Sequence, residues 1–201
     1  MTTAPTRTEI RREKTRRRLI EAGRTLIAEH GVAGLRIQDI TAQADIALGS
    51  FYNYFPTKEE LVEAVVIDSL SELGAETVVG DEDQDPAVTT VAAIVRVVRL
   101  AFDAPDFARL LINLNHADDL FAQSFHPFAR QVVARGVEEG RFSTPDIDVS
   151  VNFVVGASLT LIRGILAGAH SQGAEIVHAE LSLRSLGIEP AEARRLAAAQ
   201  A

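Results

Sequence analysis

Apolar positions recur at helical spacing along almost the whole chain, and no stretch alternates apolar and polar long enough to predict a strand. Leu19, Ala22, Gly23, Leu26, Ile27 and His30 share one stripe, which Gly31 is expected to end as the glycine following a helix. Two short helical segments are predicted at 37–44 and 48–55, separated by Asp45, Ile46 and Ala47. Thr57 and Glu60 then have the spacing of a capping box, with Pro56 and Leu61 placed as a staple. That helix runs on through Val62, Val65, Val66, Leu70 and Leu73. The pattern breaks at 80–86, where Gly80, Asp81, Asp83, Asp85 and Pro86 predict a loop. Further helices are predicted near 87–103, 106–116, 118–139, 146–170, 174–186 and 190–199. The expected class is all-α.

Composition narrows the chemistry. The chain has 201 residues and no cysteine, which excludes disulfides, thiolate metal sites and cysteine nucleophiles. Residues 1–18 are polar and show no secretory apolar segment, so a cytoplasmic protein is expected. The net charge of −8 argues against a nucleic-acid partner only when averaged over the chain. Residues 1–60 carry ten basic and eight acidic groups (+2), and residues 61–201 carry ten and twenty (−10). Within 7–18 alone stand Arg7, Arg11, Arg12, Lys14, Arg16, Arg17 and Arg18 against Glu9 and Glu13. A basic arm on an acidic body is an electrostatic docking surface. Two domains follow: 1–60, with the arm, and 61–201.

The informative stretch is 37–61. Two helices of about two turns joined by a short turn form a helix-turn-helix, with Ile37, Ile40, Ala44, Ile46, Phe51 and Phe55 as its interior. Leu48, Ser50, Asn53 and Tyr54 are left facing outward, where such a helix meets base edges in the major groove. Gly49 suits close backbone approach to DNA. The chain's two tyrosines, Tyr52 and Tyr54, both lie here, and a phenol can pack by its ring while its hydroxyl bonds a phosphate. Lys58, against the dipole preference of a first helical turn, makes sense facing a phosphate.

These residues, together with the preceding helix through Glu29, His30 and Gly31, closely resemble the signature of the tetracycline-repressor (TetR) family over 15–62. The resemblance implies a three-helix DNA-binding domain followed by a helical-bundle domain for ligand binding and dimerisation. It also implies a homodimeric regulator, usually a repressor, released from a double-stranded, pseudo-palindromic operator by a small-molecule effector. By position, Tyr52 and Lys58 match phosphate-holding residues, and Gly49 matches one lying close to DNA. Leu48, Ser50 and Asn53 match positions that set sequence preference, and Arg36 and Gln38 match positions that touch backbone or adjacent bases. Four residues depart from the pattern: Arg36 (often Thr), Thr41 (often Ala), Asp45 (often Gly) and Ala47 (often Ser). Alanine at 47 removes a helix cap, and Asp45 puts a negative charge near the duplex.

In the second domain, Gly156, Thr160, Gly164 and Gly168 recur every four residues within the apolar segment 146–170. Such a ridge admits a close helix, and the resemblance assigns this segment and 174–186 to the dimer interface. Packing inside one subunit explains the ridge equally well. Asn152 and Arg163, without positive flanks, argue against a membrane span. Phe102, Phe107, Phe121, Phe125 and Phe128 crowd together near Asn113, Asn115, His116 and His126, and Pro127 interrupts their helix. With Asn152, the residues Phe102, Phe107, Asn113, His116, Phe121, Phe125 and Phe128 are the expected effector pocket, although core packing explains most of the phenylalanines equally well.

Other readings are weaker. His116, Asp118 and Asp119 are not accompanied by a zincin motif, a phosphate-cradling loop or a nucleophile elbow, so an enzyme is not expected. Asp81, Asp83 and Asp85 copy the start of a calcium loop, but Pro86 replaces its glycine and Ala92 its glutamate. No metal or other cofactor is expected. A helical ligand-binding or interaction protein that has lost DNA binding is the remaining alternative. Such a protein need not retain Tyr52, Lys58 and the basic arm.

Overall fold

The computed structural model describes residues 6–78, 84–113 and 117–201, with side chains for all of these except 73, 74, 76–78, 113 and 117–124. Every regular element among the described residues is helical. In chain order they are α1 (Arg7–Gly34), α2 (Ile37–Gln43), a single 3-10 segment (Leu48–Asn53), α3 (Lys58–Val78), α4 (Pro86–Asp103), α5 (Pro105–Asn113), α6 (Ala117–Glu138), α7 (Ile147–Leu166), α8 (Ala174–Ser185) and α9 (Pro190–Ala198). The chain divides into two compact units, Met1–Ser69 and Leu70–Ala201. The division falls inside α3, later than the boundary expected at residue 60. The physical reason is that Leu61, Val62, Val65 and Val66 are buried in the first unit's core. Leu61 and Val65 press against Gly23 of α1, where an added Cβ would lie 3.2 Å from each.

In the first unit, α1 begins earlier than its apolar stripe. Thr6 and Glu9 form a reciprocal capping box: Thr6 N–H donates to Glu9 Oε2 at 2.7 Å, and Glu9 N–H donates to Thr6 Oγ1 at 3.3 Å. The basic stretch 7–18 is therefore helical and continuous with the buried stripe of Leu19, Ile20, Ala22, Gly23 and Leu26. The Thr6 backbone hydrogen bond holds the Glu9 carboxyl below its ordinary range. Gly31, at φ 67 and ψ 171, breaks the helical geometry where the sequence expects an end. One further turn runs to Gly34.

In the second unit, α4 is central and packs against α5, α6, α7, α8 and α9. Its start is fixed by Asp85, which accepts from Ala87 N–H at 2.8 Å and pairs with Arg141 at 2.9 Å, while Pro86 occupies the first turn. Arg141 also reaches Glu192 of α9 at 2.8 Å. Burial pushes the Asp85 carboxyl up, but the Arg141 and Ala87 hydrogen bonds outweigh it and leave the group below its ordinary range. Helix α7 stops at Leu166, short of the expected residue 170, because Gly168 turns at φ 78 and Ala169 N–H closes back on the Gly164 carbonyl at 2.9 Å.

Candidate DNA-binding interface and effector cavity

The core of the helix-turn-helix is closed by Ile40, Ala44, Phe51 and Phe55, all buried, with Ile37 and Ile46 half-buried beside them. Thr41 is buried as well, and its hydroxyl donates to the Ile37 carbonyl at 2.9 Å, so a polar residue sits here without an unmet bond. The expected second helix is instead one 3-10 segment. Ala47 stands at its cap position and supplies no side-chain acceptor. Ser50 N–H bonds the Ala47 carbonyl at 2.8 Å, and Tyr54 N–H bonds Phe51 at 2.9 Å, the tighter pattern of a segment too short and uncapped to relax into an α-helix.

This segment presents its outer face to solvent. Leu48, Gly49 and Asn53 are exposed, Tyr52 is 58% exposed, and Ser50 and Tyr54 are half-buried. The Tyr52 ring packs edge-on against Phe51, with ring centres 5.5 Å apart, which fixes the ring without covering its face. Arg36 and Gln38, at the start of α2, are both exposed, and Arg36 makes no side-chain cap bond. Lys58 is half-buried, its Nζ 3.4 Å from the Leu35 carbonyl, an anchor that leaves two ammonium hydrogens for another acceptor.

Arginines of α1 hold this 3-10 segment in place. Arg12 Nη2 donates to the Asn53 carbonyl at 3.4 Å, Arg16 stacks over the Phe55 ring at 5.2 Å, and Arg18 pairs with Asp45 at 3.3 Å. Between α1 and the segment lies an open cleft walled by Arg11, Arg12, Lys14, Arg18, Ser50 and Tyr54. The basic stretch is thus both a scaffold and a cationic rim. Its cation–π and carbonyl contacts are readable only once the helix is seen to extend back to residue 7.

In the second unit, a cavity of about 80 Å³ lies between α4, α6 and α7. Phe125 and Phe128 line it, with Ile94, Val97, Val133 and Val154. Phe102 lies elsewhere, in a surface depression with Arg99 and Glu175, because it falls on the C-terminal turn of α4 beside the start of α8. Phe107 is half-buried and Asn152 is exposed, and neither is on the cavity wall. His116 and the side chains of Asn113 and Phe121 are outside the described residues, as are Asp81, Asp83 and the side chains of Asp118 and Asp119.

The sequence reading passed over the cavity's polar wall residues, Thr89, Thr90 and Ser158. Their signal was available: hydroxyls at positions where the helical stripes of α4 and α7 call for apolar side chains. Ser158 Oγ donates to the Val154 carbonyl and lies 2.9 Å from His178 Nε2. Burial pushes the His178 imidazole below its ordinary pKa.

Of the residues expected to form the small-residue ridge, Gly156 and Thr160 are exposed on α7. Gly164 is covered by its own chain, since a Cβ there would meet the His170 ring at 2.7 Å. Gly168 lies beyond the helix end. Nearby, Val149 and Phe153 of α7 and Val177 and Leu181 of α8 are exposed apolar side chains at four-residue spacing. Helix α7 is long and apolar enough to cross a membrane by length and composition alone.

Two family models match the chain: the "Tetracyclin repressor-like, C-terminal domain" over residues 85–199 and "Bacterial regulatory proteins, tetR family" over residues 19–65. A solved structure of RolR in complex with resorcinol is 34% identical, covers 93% of this chain and 94% of its own, and superposes with a TM-score of 0.75. RolR without ligand is 31% identical, covering 90% and 96%, with a TM-score of 0.73. The transcriptional repressor DhaR of Mycobacterium sp. (strain GP1) is 40% identical over 62 residues, which span 31% of each chain. The repressor KstR2 of Rhodococcus jostii (strain RHA1) is 29% identical over 151 residues, 69% of this chain and 72% of its own. With both halves matched in order and a helix-turn-helix exposing its reading face, the chain belongs to the tetR family of bacterial regulatory proteins.

Proposed function

We propose that the protein is a cytoplasmic, homodimeric repressor that a small, mostly apolar effector releases from a pseudo-palindromic operator. The observation that carries this reading is the reading segment. Its core side is fully closed by Phe51, while Leu48, Tyr52 and Asn53 are exposed among the described residues. In this reading Leu48, Gly49, Ser50 and Asn53 meet base edges, Leu48 by apolar contact with a thymine methyl. Tyr52, Tyr54 and Lys58 hold phosphates, and Arg36 and Gln38 bind the flanking backbone or bases.

The dimer is built from α7 and α8. Val149, Phe153, Val177 and Leu181 supply its apolar contacts, with Gly156 and Thr160 allowing close approach. Half-sites then lie about one helical turn, or a multiple, apart. The effector binds between α4, α6 and α7. The likeness to RolR bound to resorcinol supports a single-ring ligand, and a cavity of about 80 Å³ calls for a small one.

The test is gel-shift binding to promoter fragments adjoining the protein's own gene, with and without resorcinol or phenol. Specific retardation that the probe relieves is the expected result. Operator DNA should then weaken probe binding by the same factor. Absence of specific retardation at every salt concentration ends the DNA-binding reading.

A further inference from the structure

We infer that the cavity selects a neutral ligand carrying a hydroxyl group, recognised by the hydroxyls of Thr90 on α4 and Ser158 on α7. This rests on the effector-cavity reading and specifies its chemistry. Thr90 is a wall residue, more than nine-tenths buried, and its Oγ1 has no hydrogen-bond partner among the described residues. An unmet buried hydroxyl is costly, and native proteins keep few of them. Thr89 beside it has met its needs, its hydroxyl lying 3.3 Å from Gln84 Oε1 and 3.4 Å from the Asp85 carbonyl. Of the hydroxyls on the described cavity wall, the unmet one is that of Thr90.

Ser158 is equally buried and faces the same cavity. Its hydroxyl lies 2.9 Å from both the Val154 carbonyl and His178 Nε2; with its proton on the carbonyl, the His178 tautomer carrying Nε2–H donates to it. That leaves one lone pair on Ser158 Oγ, an acceptor for an incoming O–H. Thr90 can both donate and accept. The two hydroxyls together match a phenolic or alcoholic group and give nothing that neutralises an anion. Among the described residues that line the cavity there is no lysine, arginine or histidine. His178 stands behind Ser158 in its uncharged form. Against these described walls a carboxylate would be buried without a counter-charge, which costs far more than burying a hydroxyl that is hydrogen-bonded.

The experiment is calorimetric titration of the purified full-length protein at pH 7.5 with phenol, toluene and benzoate, in wild type, Thr90→Val and Ser158→Ala. Phenol is expected to bind wild type more tightly than toluene, and benzoate not to bind. Thr90→Val, which conserves shape, is expected to weaken phenol by about tenfold and leave toluene unchanged, the worth of one hydrogen bond. Its melting temperature without ligand should be no lower than wild type, because the substitution removes an unmet buried hydroxyl. Unchanged phenol affinity in both variants overturns the hydroxyl recognition and leaves the cavity reading standing. Benzoate binding as tightly as phenol overturns the neutral-ligand assignment. Failure of wild type to take either phenol or toluene ends the cavity reading itself.

Discussion

Arg18 fastens the turn of the helix-turn-helix to the first helix, its Nη2 lying 3.3 Å from Asp45 Oδ2 and 3.4 Å from the Asp45 carbonyl oxygen. Asp45 sits at φ 51, the left-handed region that its usual glycine would adopt freely. The carboxylate is almost wholly exposed, so the pair itself is worth under about 1 kcal/mol. Its larger consequence is electrostatic, because it engages a cation on the rim of the reading cleft. Asp45→Gly should leave the melting temperature nearly unchanged, since relief of the backbone offsets the lost pair. DNA affinity should rise, and the slope of log K against log salt should steepen by about 0.9 as Arg18 gains a phosphate. An unchanged slope would show that Arg18 serves the fold alone.

Gly49 separates a folding role from a binding role. An added Cβ there meets nothing within 4 Å, and its φ is not in the positive region. The protein's own packing therefore does not require glycine. Gly49→Ala should melt no lower than wild type, alanine being the better helix former. If DNA approaches the backbone at this position, specific binding should weaken by about 1–3 kcal/mol, the scale of a lost base contact. Equal gel-shift affinity for the two proteins would remove Gly49 from the interface.

Tyr52 and Lys58 predict different salt behaviour. Lys58 carries charge, so Lys58→Ala should lower affinity and make the salt slope shallower by about 0.9. Tyr52→Phe removes a neutral hydroxyl from an exposed ring and should cost about tenfold or less with the slope unchanged. A titration of binding against potassium chloride reads both, and matching slopes for Lys58→Ala and wild type would reassign that lysine to its Leu35 anchor.

The elements were legible because a helical stripe survives in almost every segment, and Gly31 marked its break correctly. The helix-turn-helix was legible from Ile40, Ala44, Phe51 and Phe55, whose spacing admits one closed core. The 3-10 character of 48–53 was not, since apolar spacing does not distinguish a short α-helix from a tighter turn; the clue was the missing cap at Ala47. The effector cavity was harder. Its walls are mainly valine, isoleucine and alanine, the same residues that fill a solid core. Phenylalanines drew attention to 102–128, yet helical phase sends Phe102 to a different face from Ile94 and Val97. The ridge at 156–168 is one feature in the sequence but not in the fold, because spacing alone does not show where α7 ends.

The α7–α8 surface predicts the oligomeric state. Phe153 is 60% exposed and Leu181 52%, so neither is needed for the protomer's core. Changing either to glutamate should leave the circular-dichroism melting profile of a folded protomer while shifting sedimentation from dimer to monomer. A central apolar contact of this kind is worth about 2 kcal/mol or more. A Phe153→Glu, Leu181→Glu double variant that still sediments as a dimer would place the interface elsewhere.

His178 predicts a pH dependence with a definite sign. Burial lowers its folded-state pKa, while the unfolded chain keeps the ordinary value near 6.5. Below that value the unfolded chain takes up a proton that the folded protein refuses, so unfolding gains a bound proton and stability falls with pH. Above about pH 7 both states are neutral and the contribution is constant. Wild type should therefore lose melting temperature between pH 7 and pH 5. His178→Gln, which retains a donor for Ser158 but does not titrate, should lose less. Asp85 and Glu9, whose folded pKa values are also lowered, act nearer their own ordinary values of 3.8 and 4.5, toward the acid end of this range. Parallel melting curves for the two proteins from pH 7 to pH 5 would mean that His178 takes its proton without opening the fold.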